Sequence, residues 1–139
     1  MAQNGYVRKA AFALIAGACA LPAITAGAQR AAPALLDRIE PGQWELRDRD
    51  NDEMRTRLCV ASGWQMVQIR HQREQCRSFV VQESPGAVTV HYTCPGNGYG
   101  RTEIRLENPR LAQVETQGIA GGLPFLFAAE ARRIGDCPR

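Results

Sequence analysis

Residues 77–94 read as two strands folded back on Pro85-Gly86, with Cys76 and Cys94 at the open end, and no other stretch restricts the fold as much. Side chains alternate along a strand with a period of two. Phe79 and Val81 therefore share one face of the first strand, and Val88, Val90 and Tyr92 share one face of the second. Proline followed by glycine is the signature of a type II turn, because proline presets φ and glycine accepts a positive one. Two-residue hairpins favour the primed turns instead, so a four-residue loop is the alternative. A two-residue loop sets Ser84 opposite Ala87, Val81 opposite Val90 and Phe79 opposite Tyr92, so that the two apolar faces coincide. It also sets Cys94 opposite Arg77, one residue from Cys76, within reach of a disulfide.

The compartment is read from the first residues of the chain. Arg8 and Lys9 precede an apolar run from Ala10 to Leu21, then Pro22 and the small-residue site Ala26-Gly27-Ala28. This order reads as a secretory signal peptide over residues 1–28, cleaved after Ala28. The apolar run is shorter than the roughly 20 residues a membrane span needs, so no transmembrane segment is expected after cleavage. Lipidation at Cys19 is the competing reading, but the position three residues before it holds Ala16 rather than a bulky aliphatic residue. Beyond residue 28 the chain has arginine but no lysine and nearly balances it with 14 acidic residues. A protein of that balance has no electrostatic footprint for nucleic acid.

Four cysteines lie beyond the leader: Cys59, Cys76, Cys94 and Cys137. In a small exported domain an even count reads as two disulfides, with three possible connectivities. No C-x-x-C pair is present, so neither a structural metal nor another cofactor is expected. The hairpin register pairs Cys76 with Cys94 and leaves Cys59 to Cys137.

Along the rest of the chain, residues 29–40 carry no alternation and read as a flexible mature N-terminus, with a single β-rich domain over residues 41–139. Trp44 and Leu46, then Met54, Thr56, Leu58 and Val60, alternate on either side of the turn residues Asp50-Asn51-Asp52 and predict a second hairpin. Ser62 and Gln65 match a capping box and predict one short helix from Ser62 to about Arg70. Residues 71–75 are polar and read as a connecting loop. Thr102, Ile104 and Leu106 alternate with Arg101, Glu103, Arg105 and Glu107, giving a strand with one wet and one buried face. Its turn at Asn108-Pro109-Arg110 pairs Ile104 with Val114 and opposes Glu103 to Glu115, a like-charge pair for Arg101 or Arg105 to screen. By composition residues 128–133 favour helix.

The opening Pro41-Gly42-Gln43-Trp44-Glu45, then Cys59, Cys76 and Cys94, and the closing Gly135-Asp136-Cys137 resemble the domain of unknown function 3617 family of small exported proteobacterial proteins. The resemblance spans residues 41–137 and implies a β-rich envelope protein whose last segment, Phe125 to Arg133 here, is a strand before G-x-C. That family carries no settled activity, so no catalytic residue comes over from it. The expected fold is mostly β: an antiparallel sheet of six or seven strands with one short helix and two disulfides.

No constellation in the sequence amounts to an active site. The glycines of residues 96–100 are followed by a strand, whereas a phosphate loop opens a helix, so they read as a turn. The alternating charges from Arg101 to Glu107 read as a solvated strand face rather than as paired catalytic carboxylates. Leu123 and Phe125 lie in an apolar, glycine-rich stretch that is either core or a lip around a binding groove. The expected function is a periplasmic or secreted, non-enzymatic binding module for an envelope partner or a small apolar or amphiphilic ligand. The alternative is a small periplasmic hydrolase using His91, which would need a serine or carboxylate converging on it.

Overall fold

The computed structural model describes residues 33–72 and 75–139, so the expected leader over residues 1–28 lies outside the described residues. Seven strands form one antiparallel sheet: β1 (Gly42–Asp48), β2 (Arg55–Val60), β3 (Arg77–Glu83), β4 (Ala87–Cys94), β5 (Gly98–Asn108), β6 (Leu111–Ala120) and β7 (Leu123–Gly135). Their spatial order is β2-β1-β7-β6-β5-β4-β3, so β2 and β3, consecutive in sequence, are the two edges of the sheet. Their connection crosses the inner face, where it forms a short helix (Trp64–Val67) and a 3-10 turn at Ile69–His71. It buries Met66 and Val67 in the core that contains Trp44, Tyr92 and Ile104. On the same face, the Thr102 hydroxyl bonds the Val67 carbonyl.

The capping box forms in part: Gln65 reaches back as its sequence predicts, while the Ser62 hydroxyl takes the N–H two residues on and Gly63 is the N-cap. Trp64 N–H donates to Ser62 Oγ at 3.3 Å, and Ser62 N–H donates to Gln65 Oε1 at 3.3 Å. The helix nonetheless ends at Val67, because Gln68 leaves helical geometry (φ −111°, ψ 43°) before the 3-10 turn. Of the segment 29–40 expected to be flexible, residues 29–32 lie outside the described residues, and a further short helix (Ala34–Asp37) corrects that expectation for the rest. Leu35, Leu36 and Ile39 are all buried. Burial of each large aliphatic side chain is worth about 1.5–3 kcal/mol, enough to hold a four-residue helix that would fray alone.

The β5–β6 register is the predicted one, with Ile104 opposite Val114 and Glu103 opposite Glu115. The cation that answers Glu115 is Arg49, from the β1–β2 turn, rather than Arg101 or Arg105. Residues 128–133 are strand and not helix: Ala129 and Ala131 are fully buried on the inner face, where their small side chains let β7 sit near the sheet's centre. Both disulfides, Cys59–Cys137 and Cys76–Cys94, are in place.

The central hairpin departs from its predicted register. Near the turn the pairing is as expected, with Ser84 N–H donating to the Ala87 carbonyl. A β-bulge between Val80 and Gln82 then absorbs one residue at Val81. Beyond it Val80 opposes Val90 and Phe79 opposes His91. Because a one-residue slip exchanges the faces of a strand, Val80 packs on the core while Phe79 and Val81 are 45% and 46% exposed. The slip also brings Cys76 directly opposite Cys94, with Cα atoms 4.2 Å apart.

Candidate functional site

Helices cover the inner face of the sheet, while the side chains of the outer face project away from them. Pairing of β3, β4, β5, β6 and β7 sets Phe79, His91, Arg101, Gln117 and Leu126 in one row across that outer face. Tyr99 stands in the next row, toward the β4–β5 turn. The His91 ring meets Phe79 edge-on at 5.2 Å and Tyr99 at 6.0 Å between centroids. Such geometry directs the positive edge of one ring at the face of another.

His91, Tyr99, Arg101, Gln117, Gly118 and Phe125 line a shallow depression of about 420 Å³. A Cβ at Gly118, opposite Phe125 in register, would lie 2.0 Å from the Tyr99 carbonyl oxygen, so only glycine lets β5 and β6 approach there. Arg101, Gln117 and Leu126 continue into a smaller adjoining hollow with Glu103 and Glu115 at its far side. Hydrogen-bond donors, aromatic surface and aliphatic surface are thus combined within one concave region. The described residues lining the main depression include no serine, cysteine or carboxylate, and no described group of His, Cys, Asp or Glu is placed to hold a metal ion.

The sequence-derived candidates part company. His91 lies in the depression, half-buried by its ring contacts and on the face opposite the helices. Phe125 borders it only from β7's other side, since its ring turns to the inner face, where it meets His71 at 6.0 Å and the Arg70 guanidinium at 5.7 Å. Leu123 is not part of the lining. It is 71% exposed at the tip of the β6–β7 hairpin, which rules out the core reading for this residue. The stretch is no loose loop, since Gly121 and Gly122 (φ 57° and 79°) make a two-residue turn with the positive dihedrals of type I′.

Tyr99, Gln117 and Phe79 are site residues that sequence reasoning did not single out. Arg101 was legible only as a charge on a wet strand face, and it meets His91 solely because β4 and β5 pair in that register. Conversely, His71 belongs to the core and not to a polar loop, with 2% of its surface exposed. Its Nε2–H donates to the Asn97 carbonyl at 3.1 Å, leaving Nδ1 to accept from the Tyr92 hydroxyl at 3.2 Å in the neutral imidazole. Burial pushes the Tyr92 phenol up from its ordinary pKa, against smaller opposing effects of its Thr116 hydrogen bond and the Arg70 charge.

A second cleft of about 320 Å³ beside β2 contains Arg57, Gln65 and Gln68. Gln65 Oε1 and Gln68 Nε2 are already engaged with the backbone, at Ser62 and His71 respectively. The outer-face depression is therefore the candidate site.

No family model, curated protein or solved structure matches this chain.

Proposed function

We propose that this protein is an exported, non-enzymatic binding module that takes a small amphiphile on the outer face of its sheet. The two disulfides fit an oxidising compartment, and no described helix is long and apolar enough to cross a membrane. The resemblance of residues 41–137 to the domain of unknown function 3617 family, which we retain as the proposed assignment, agrees with an envelope location. The observation that carries the reading is the lining of the depression: Arg101, Gln117 and His91 offer donors beside Tyr99 and Phe125, and no described carboxylate lines it. A polar, preferably anionic head beside Arg101 with an apolar tail along Tyr99 and Leu126 suits that arrangement.

Amide shifts on titration with sodium decanoate test the proposal. Perturbations should concentrate at His91, Tyr99, Arg101, Gln117 and Phe125, and Arg101→Gln should weaken binding several-fold. Shifts scattered over the surface, or an unchanged affinity in Arg101→Gln, would refute it. The hydrolase alternative predicts turnover of p-nitrophenyl butyrate that disappears in His91→Ala; the binding reading predicts no turnover above buffer.

A further inference from the structure

The tips of two neighbouring hairpins are devoid of charge. Neither residues 93–100 nor residues 116–129 include any Asp, Glu, Lys, Arg or His, in a chain that is 22% charged. These segments are the β4–β5 and β6–β7 turns with their flanking strands, and they lie side by side. Gly98 pairs with Ala120, and Gly121 N–H donates to Asn97 Oδ1 at 2.6 Å, tying one turn to the other. At this end β7 outruns its neighbour, since pairing with β1 stops at Ala129 and Arg49 N–H takes the Ala128 carbonyl. Pro124 falls on the unpaired edge this leaves, where a missing N–H costs nothing.

The tip differs from an ordinary strand end in having no polar face. Leu123 and Phe125 point to one side of β7 and Pro124 and Leu126 to the other, with Leu123 71%, Leu126 73% and Tyr99 48% exposed. A strand that docks one face on a protein keeps its other face wet. Apolar side chains on both faces suit immersion in an apolar medium. Behind the tip stand three exposed arginines. Arg77 shares a row with Tyr99 and Pro124, Arg101 is in the next row back, and Arg70 stacks on Phe125. No described residue forms an ion pair with any of them. The acidic β1–β2 turn joins β7 only at Ala128, several residues behind Leu123.

We propose that the joined β4–β5 and β6–β7 tips are a docking element for the surface of an anionic lipid bilayer. Leu123, Leu126 and Tyr99 enter the boundary between headgroups and acyl chains, and Arg70, Arg77 and Arg101 meet the lipid phosphates. Tyrosine suits that boundary, with an apolar ring and a wet hydroxyl. Attachment combines buried apolar area with attraction between the arginines and anionic headgroups, and both terms are needed at this small size. The docking element shares Tyr99 and Arg101 with the amphiphile site, but Leu123 and Arg77 lie outside the depression and report on docking alone.

Co-sedimentation with large vesicles tests it, using the full chain expressed with its leader and purified as the host processes it. Vesicles of phosphatidylcholine with about 30% phosphatidylglycerol should carry the protein down, and pure phosphatidylcholine should bind it at least about tenfold more weakly. Leu123→Asp should lose at least about tenfold on the anionic vesicles, and Arg77→Gln about fivefold, a loss that about 0.5 M NaCl should abolish. Both positions are exposed, and thermal melts of the variants should overlay wild type, so a folding defect would be visible separately. Failure of wild type to bind the anionic vesicles would overturn the proposal. So would binding indifferent to Leu123→Asp, which would mark charge adsorption alone, or capture on a protein partner through the same tip without any vesicle binding.

Discussion

Adding a single methyl group at Gly100 should test the packing that underlies the site. A Cβ built there lies 2.4 Å from both Cζ and the hydroxyl oxygen of Tyr92 and 2.6 Å from Cε1. Carbon atoms in contact prefer about 3.5–4.0 Å, so the ring would have to retreat by about 1 Å. Tyr92 has no room to do so: it is fully buried, and its hydroxyl is held by His71, whose own ring rests against Phe125. Overpacking costs about 1–3 kcal/mol, and losing a buried hydrogen bond about 1–3 more. We expect Gly100→Ala to lose about 3 kcal/mol, read as a fall in Tm of about 12 °C and a lower urea midpoint at constant slope. Tyr92→Phe should not relieve the variant, because the ring carbons still collide. Tyr92→Leu should, giving a double-mutant cost below the sum of the singles by about 1 kcal/mol or more. Gly100→Ala melting within about 2 °C of wild type, or strict additivity with Tyr92→Leu, would refute the reasoning.

Two further tests concern covalent and electrostatic terms. Cys59–Cys137 closes a separation of 78 residues and Cys76–Cys94 one of 18, so in the chain-entropy model replacing the pairs by serine should cost about 4.5 and about 3 kcal/mol respectively, measured by denaturant unfolding. A larger loss for the shorter loop would contradict that order. Glu45, which bonds Arg55 at 3.1 Å, is held below the usual carboxylate range by that hydrogen bond first, with Arg57 assisting. A depressed folded-state pKa contributes stability that is present above the unfolded value and fades as pH falls through the folded one. Wild type should therefore exceed Glu45→Gln in stability at about pH 7, and the gap should close as pH falls below 4.5. A gap that persisted or grew in acid would show that the effect is not the carboxylate's charge.

Residue order alone settled the features that are local and periodic. Alternation from Thr102 to Leu106 set the buried face of β5, and the turn at Asn108-Pro109-Arg110 fixed the β5–β6 register that opposes Ile104 to Val114. The return bond from Ser62 N–H to Gln65 Oε1 needed only residues three apart. The cysteine pairing was legible because a hairpin brings its open end together whether or not its register is perfect.

Contacts between residues distant in sequence decided the rest. The bulge at Val81 carries no marker in composition, yet it exchanges the faces of β3, sending Val80 to the core and Phe79 to the ring of His91. Residues 33–40 looked like a fraying terminus because nothing local favours order there; Leu35, Leu36 and Ile39 gain it only from a core assembled elsewhere. His71 read as loop until the crossing connection set it against Tyr92 and Asn97. The glycine at position 100, indistinguishable in sequence from a turn residue, is required by the ring of Tyr92 across the sheet. The candidate site has the same origin: four strands contribute Phe79, His91, Arg101 and Gln117 one residue each, and only pairing places them side by side. A sheet's periodicity states which face a side chain takes, while register states which neighbours it meets, and register is settled by the summed packing of the whole sheet.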